Sequence, residues 1–133
     1  MILVKRACKK DKALLIEFKL ATITPYIKNS NENLNVIKYV NEFISENYMK
    51  GFLVYNNFKL IGAYLINNSI LDLFFIKEKY RSLGFGHKII KKIGNDFDQV
   101  WVMKNNAKAI KFYFKFDFII IKEEKNRLLL RKG

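Results

Sequence analysis

The tightest constraint in this chain lies between residues 70 and 97. An apolar run over residues 70–76, broken only by Asp72, is followed by Arg81-Ser82-Leu83-Gly84-Phe85-Gly86 and then by an amphipathic stretch, residues 87–97. In that stretch Ile89, Ile90, Ile93 and Phe97 share one helical face, with Lys88, Lys91 and Lys92 on the other. The spacing predicts strand, glycine-rich turn, helix. Such a junction suits phosphate, because glycines admit close backbone approach and a helix start offers unpaired N–H groups and the positive end of its dipole. Further along, Asn106, Phe112-Tyr113 and Asp117-Phe118 place an aromatic hydroxyl on a later helix. Together the two stretches point to a nucleotide-bearing cofactor with an acid–base step beside it.

The 133 residues are expected to form a single domain, residues 1–133, and half of them are apolar or aromatic, ample for one core. No apolar stretch reaches the ~18 residues of a membrane span, so no membrane partner is expected. Lys5, Arg6, Lys9 and Lys10 interrupt what would be the apolar part of a signal peptide. Cys8 is the only cysteine and has no histidine partner in sequence, so it reads as small and apolar, and a cytoplasmic location is expected. No His/Cys ligand spacing points to a metal. The formal charge of +13 has two readings. Clustered cations mark nucleic-acid partners, but these lysines are spread along the chain and accompany abundant Asn and Ile, as AT-rich codon usage gives, so nucleic acid is not the favoured partner.

The pattern predicts the order β α α β β β α β α β β. Residues 1–8 alternate as a first strand, and Asp11 is placed to N-cap a helix through Ala21 with Leu14, Leu15 and Phe18 on one face. Residues 22–33, with the only proline, read as a loop; Ile37, Val40, Ile44 and Tyr48 then keep helical spacing. Strands follow at 52–55, 60–66 and 70–76, turning at Asn56-Asn57 and Asn67-Asn68. After the glycine turn and its helix come a strand at 100–103, a helix at 106–115, and strands at 118–121 and 128–130 joined through residues 124–126. The strand–helix–strand unit implies a parallel pair with a right-handed crossover. The fold class is thus α/β or α+β: a mixed, mostly antiparallel sheet of about seven strands with a central parallel pair, flanked by four helices.

These residues resemble the GNAT superfamily of N-acetyltransferases, whose cofactor motif is Arg or Gln, two free positions, Gly, one free position, then Gly or Ala. Arg81, Gly84 and Gly86 fit it, after a strand ending Phe74-Phe75-Ile76. Asn106, Ala109, Ile110, Phe112, Tyr113 and Phe118 fit the family's later motif. Three positions depart from the pattern. Asp117 replaces a glycine, and aspartate tolerates the left-handed backbone that position suggests. Glu78 replaces a common proline. Trp101 stands where members that acetylate protein N-termini often carry a glutamate base, which weighs against ribosomal-protein N-terminal acetylation.

The resemblance implies transfer of acetyl from acetyl-CoA to a primary amine by direct attack in a ternary complex, with no metal. It sets the CoA pyrophosphate against the backbone of Ser82, Leu83, Gly84, Phe85, Gly86 and His87, with the Ser82 and Leu83 side chains free to vary. Arg81 either pairs with phosphate or buttresses the turn, and His87 is either a donor to phosphate or simply solvated. Phe74, Phe75 and Ile76 offer backbone groups to pantetheine as an added strand. Asn106 caps its helix, touches the cofactor, or both. Tyr113 is the candidate general acid that protonates the departing thiolate, against a plain core role. Asp72, the only acid in the central strand, is either the base that deprotonates the amine or a paired structural carboxylate. Tyr26 and Tyr64 are candidates to line the acceptor pocket, and the sheet is expected to split between the strands ending at Ile76 and Met103. The acceptor itself is not spelled out. Two alternatives stay open: an aminoacyl-tRNA-acetylating, toxin-type member, and a non-catalytic CoA-binding module. A homodimer through sheet edges or C-terminal strands is the assembly the resemblance suggests.

Overall fold

The computed structural model describes residues 1–133. Its elements are β1 (Ile2–Arg6), α1 (Lys12–Ala21), α2 (Ser30–Asn47), β2 (Gly51–Asn56), β3 (Lys59–Asn67), β4 (Ile70–Ile76), α3 (Phe85–Ile93), β5 (Gln99–Met103), α4 (Ala107–Phe114), β6 (Phe118–Glu123) and β7 (Arg127–Lys132). The seven strands form one sheet in the order β1-β2-β3-β4-β5-β7-β6. Only β4 and β5 run parallel, and the mixed sheet with its four helices is the architecture the pattern predicted. None of the helices is long and apolar enough to cross a membrane.

Helices cover both sheet faces. On one, Ile89, Ile90 and Ile93 of α3 and Tyr113 of α4 pack with Leu71, Val100, Val102 and Leu130. On the other, Leu15 and Phe18 of α1 and Val40 and Ile44 of α2 pack with Leu53, Ala63, Leu65 and Leu73. Leu71 and Leu73 thus face opposite layers, although residues two apart on a regular strand share a face. The register explains it: Ile66 pairs with Leu71 and Leu65 with Leu73, so Asp72 is the extra residue of a β-bulge. Ile61 does the same in β3, between the pairs Val54–Gly62 and Tyr55–Leu60.

Local chemistry moves several predicted boundaries. Asp11 does not cap α1; its carboxylate accepts from Cys8 N at 2.9 Å and closes the 3-10 turn Lys9–Asp11 ahead of the helix. The expected loop at 22–33 yields its last four residues to α2, because Asn29 Oδ1 accepts from Asn31 N (2.8 Å) and Glu32 N (3.2 Å). Both hairpin turns fall one residue later than expected, at Asn57-Phe58 and Asn68-Ser69, whose four positive φ angles mark left-handed turns. Helix α3 starts at Phe85, before His87, and Phe97 is core from beyond its end. Asp117 takes φ 65°, the left-handed conformation expected there.

One charge lies in the core. Lys19, one turn beyond Leu15 on the buried face of α1, is 6% exposed. Its Nζ donates to the backbone oxygen of Asp72, at the point where β5 stops pairing with β4, and lies 5.1 Å from the Phe43 ring centre. Burial pulls this ammonium from its ordinary 10.5 down to about 8, with Asp72 opposing and Arg127 adding to the fall. Below pH 8 both folded and unfolded chains hold the proton, and the cost of burying charge is full. Between about 8 and 10.5 the unfolded chain holds more, so stability rises with pH and then levels. The gap corresponds to about 3 kcal/mol. Chemical denaturation across this window should therefore show the wild-type protein gaining up to about 3 kcal/mol relative to Lys19→Met; parallel curves would contradict it. A second outcome tests the β3–β4 approach. An ideal Cβ on Gly62 would lie 2.0 Å from the Phe75 oxygen, so Gly62→Ala should cost at least about 2 kcal/mol in the same assay.

Candidate active site

Strands β4 and β5 pair only at Ile70–Gln99 and Leu71–Val100, then part. Each is held from its other side: β4 by β3 as far as the Gly62–Ile76 pair, and β5 by β7 along its whole length. The gap opens into a cavity of about 900 Å³. Of the predicted site residues, Asp72, Phe74, Phe75, Ile76, Arg81, Ser82, Gly84, Gly86, His87, Asn106 and Tyr113 line it; Leu83 and Phe85 do not. Tyr26 lines it too, whereas Tyr64 stacks on Phe52 away from the cavity.

Backbone groups along the gap follow from strand alternation. Lys77 N donates to Ile61 O at 2.8 Å, so Lys77 and Phe75 turn their backbones to β3, while Phe74 and Ile76 turn theirs to the gap. The close approach of the Phe75 oxygen to Gly62 agrees. Phe75 thus offers its ring rather than its amide, stacking on Phe18 with centroids 4.5 Å apart. The Ile76 oxygen is taken by Arg81 Nε at 2.7 Å, which leaves Phe74 with both groups open.

Arg81 braces the turn through that bond, with its guanidinium 5.3 Å from the Phe75 ring centre, and also lines the cavity. Gly84 has φ 86° and begins α3, and a Cβ there would meet nothing within 4 Å, so the space beside it is open. Lys88 N is the first amide of α3 to find an acceptor in this turn, Gly84 O at 3.2 Å. Those of Phe85, Gly86 and His87 point out of the helix start. Ser82 also takes a positive φ, 63°, so its position is not free to vary as the sequence suggested; β-branched residues are disfavoured there. His87 is exposed, its ring 5.0 Å from that of Phe116. Asn106 caps α4, its Oδ1 accepting from Ala109 N at 3.1 Å, and lines the cavity as well.

Tyr113 is 4% exposed between the ring edges of Phe112 and Phe118. Burial alone pushes its phenol above the ordinary value, so the hydroxyl is protonated at neutral pH and available as a donor. Asp72 is half-buried, and its carboxyl is also raised: burial outweighs the opposing charges of Lys19, Arg127 and Lys50. Tyr113 and Asp72 thus sit in different surroundings of one cavity.

Sequence reading missed the neighbours of Asp72. Lys19, Tyr39 and Arg127 come from α1, α2 and β7, and all line the cavity. The Arg127 guanidinium lies 3.6 Å from the Trp101 ring centre, and its Nε donates to Glu124 at 2.7 Å. Tyr39 is raised by burial and then by Asp72, with Arg127 opposing. Lys19 alone left a signal, a lysine four residues after Leu15 on an otherwise apolar face.

Residues 19–131 match the family model described as an acetyltransferase (GNAT) domain. No curated protein matches the chain. Among solved structures, the apo form of YjaB from Escherichia coli superposes with a TM-score of 0.77 at 17% identity, covering 98% of this chain and 97% of that one. The paia N-acetyltransferase from Thermoplasma acidophilum, in complex with coenzyme A, gives 0.67 at 19% identity over 100% and 99%. Arabidopsis thaliana Naa50, in complex with the bisubstrate analogue CoA-Ac-MVNAL, gives 0.64 at 21% identity over 99% and 98%. At these identities the structures establish the shared fold, and the family model spans most of the chain. The parted strands, the glycine turn and the buried phenol therefore belong to a member of the GNAT acetyltransferases.

Proposed function

We propose that this protein is an N-acetyltransferase that transfers acetyl from acetyl-CoA to a primary amine bound beside Asp72. The observation that carries the reading is the parting of β4 from β5, which leaves Phe74 with open backbone groups between a helix start and a buried phenol. The residues fit the cosubstrate. Amides of Phe85, Gly86 and His87 face the open space beside Gly84 and suit a diphosphate. Lys108, Lys111 and Lys115 of the α4 region line the same end and add positive charge. The Phe74 N–H and C=O suit the amides of an extended pantetheine arm. When bound, acetyl-CoA supplies an acyl thioester and a thiol leaving group.

The chain's own residues then divide the work. Strand β4 and the α3 turn fix the position of the arm, and juxtaposing two reactants contributes ~7–11 kcal/mol. Asp72 receives a proton from the incoming ammonium, whose own value is near ~10.4, directly or through water. Its raised affinity for protons, set by burial, suits that role better than a solvated carboxylate would. Tyr113 Oη holds the proton delivered to the leaving sulfur. Burial that disfavours phenolate disfavours thiolate in the same dry space, so the transfer is not blocked by the raised phenol.

Calorimetry with coenzyme A should show binding to the wild-type protein and to Tyr113→Phe with equal affinity. Thiol release by the variant should fall by about 10²–10⁴; unchanged turnover would remove the acid role, and absence of heat with coenzyme A would overturn the reading. Asp72→Asn should abolish the acidic limb of the kcat/KM profile. In the wild-type protein that limb lies above the ordinary carboxylate range, because Asp72 loses its proton only at raised pH. A profile identical in the variant assigns Asp72 to structure instead.

A further inference from the structure

The acceptor end of the cavity carries an unusual balance of charge. Lys19, from α1, and Arg127, from β7, both line it with Asp72, and Lys19 donates to the Asp72 backbone oxygen. Glu124 also pairs with Arg127, through Nε at the outer hairpin, where the Arg127 and Glu124 side chains are 38% and 36% exposed. Of the two cations, Lys19 is the buried one. Its three donors have a single hydrogen-bond partner in the protein, the Asp72 oxygen. Arg127 lies flat on Trp101 with its Nη edge unclaimed by Glu124. Arg127 also meets the Tyr39 hydroxyl, and the buried ammonium of Lys19, with donors unfilled, is costly in the absence of an anion.

We propose that the acceptor is an amine that also bears a carboxylate, its carboxylate held by Arg127 and Lys19 and its amino group turned to Asp72. This rests on the transferase reading above and names its substrate class. A carboxylate accepts two parallel bonds from a guanidinium edge and can also fill the spare donors of the Lys19 ammonium. The rest of this end is Ile23, Tyr26, Tyr39 and Trp101, apolar and aromatic surface that suits a hydrophobic body. The class is therefore a hydrophobic α-amino acid or a compound of the same pattern. The reaction balances: Asp72 takes one proton from the ammonium, the amine nitrogen bonds to the acetyl carbon, and the carbon–sulfur bond breaks. The sulfur leaves as thiol with the proton of Tyr113, and the second nitrogen proton restores the Tyr113 hydroxyl.

The test compares acids with their uncharged partners. Thiol release from acetyl-CoA is measured with L-phenylalanine and L-leucine against L-phenylalaninamide and L-leucinamide. The acids should be favoured by about 10- to 100-fold in kcat/KM, the value of charge-assisted bonds to one carboxylate. Arg127→Gln should bring the ratio near one while leaving coenzyme A affinity intact, and Lys19→Met should lower it in the same direction. Equal rates for acids and amides, or an Arg127→Gln loss that falls equally on both, overturns the proposal. A second readout separates it from the transferase reading. Calorimetry of the coenzyme A-saturated protein with L-phenylalanine should give heat that L-phenylalaninamide does not, and equal heats or none count against the anion site. Coenzyme A binding without thiol release from any amine overturns the transferase reading; the calorimetric comparison still decides the anion site.

Discussion

Everything at this site depends on the loss of hydrogen bonding between β4 and β5 beyond Leu71 and Val100. A parallel pair closed along its length would leave no gap, and the backbone of Phe74 would be spent on the ladder. Two devices keep the strands apart. The outer ladders, β3 on one side and β7 on the other, hold each strand in place without help from its parallel neighbour. The bulge at Asp72 changes the course of β4 at the branch point, and bulges recurrently re-aim side chains beside functional sites.

The same bulge sets the electrostatics. It turns β4 so that Leu71 and Leu73 serve opposite cores, and it sets Asp72 among groups from the α1, α2 and β7 elements. The carbonyl that β5 does not reach is met by a buried lysine rather than by water. That arrangement is expensive, and both members show it. Burial depresses the lysine and raises the carboxyl, each by more than their mutual attraction restores. Perturbed groups of this kind cluster at functional sites, and that is what supports the role proposed for this cluster.

Legibility differed between the two ends of the cavity. The cofactor end rests on local signals. Glycines at a strand–helix junction, an asparagine before a helix and an aspartate in a left-handed turn each act within a few residues, so their spacing survives in one dimension. Strand β4 was read residue for residue, because an apolar run between turns is a local pattern. The errors are of the same kind. Hairpin turns slipped by one residue because two asparagines stand together at each, and α2 was begun late because the Asn29 cap was lost among polar neighbours. Ser82 looked indifferent because nothing in a sequence announces a positive φ on serine.

By itself the sequence determined the order of elements, the single parallel crossover, the phosphate-suited turn and the phenol on the last helix. Each is written in propensity, periodicity or motif spacing. Only the tertiary structure decided which backbone amides of β4 stay open, that Arg81 Nε bonds the Ile76 oxygen, and that Lys19, Tyr39 and Arg127 line the cavity with Asp72. Those facts arise from ladder register and from contacts between residues as much as a hundred positions apart, and no local rule encodes the meeting of three elements around one bulged residue.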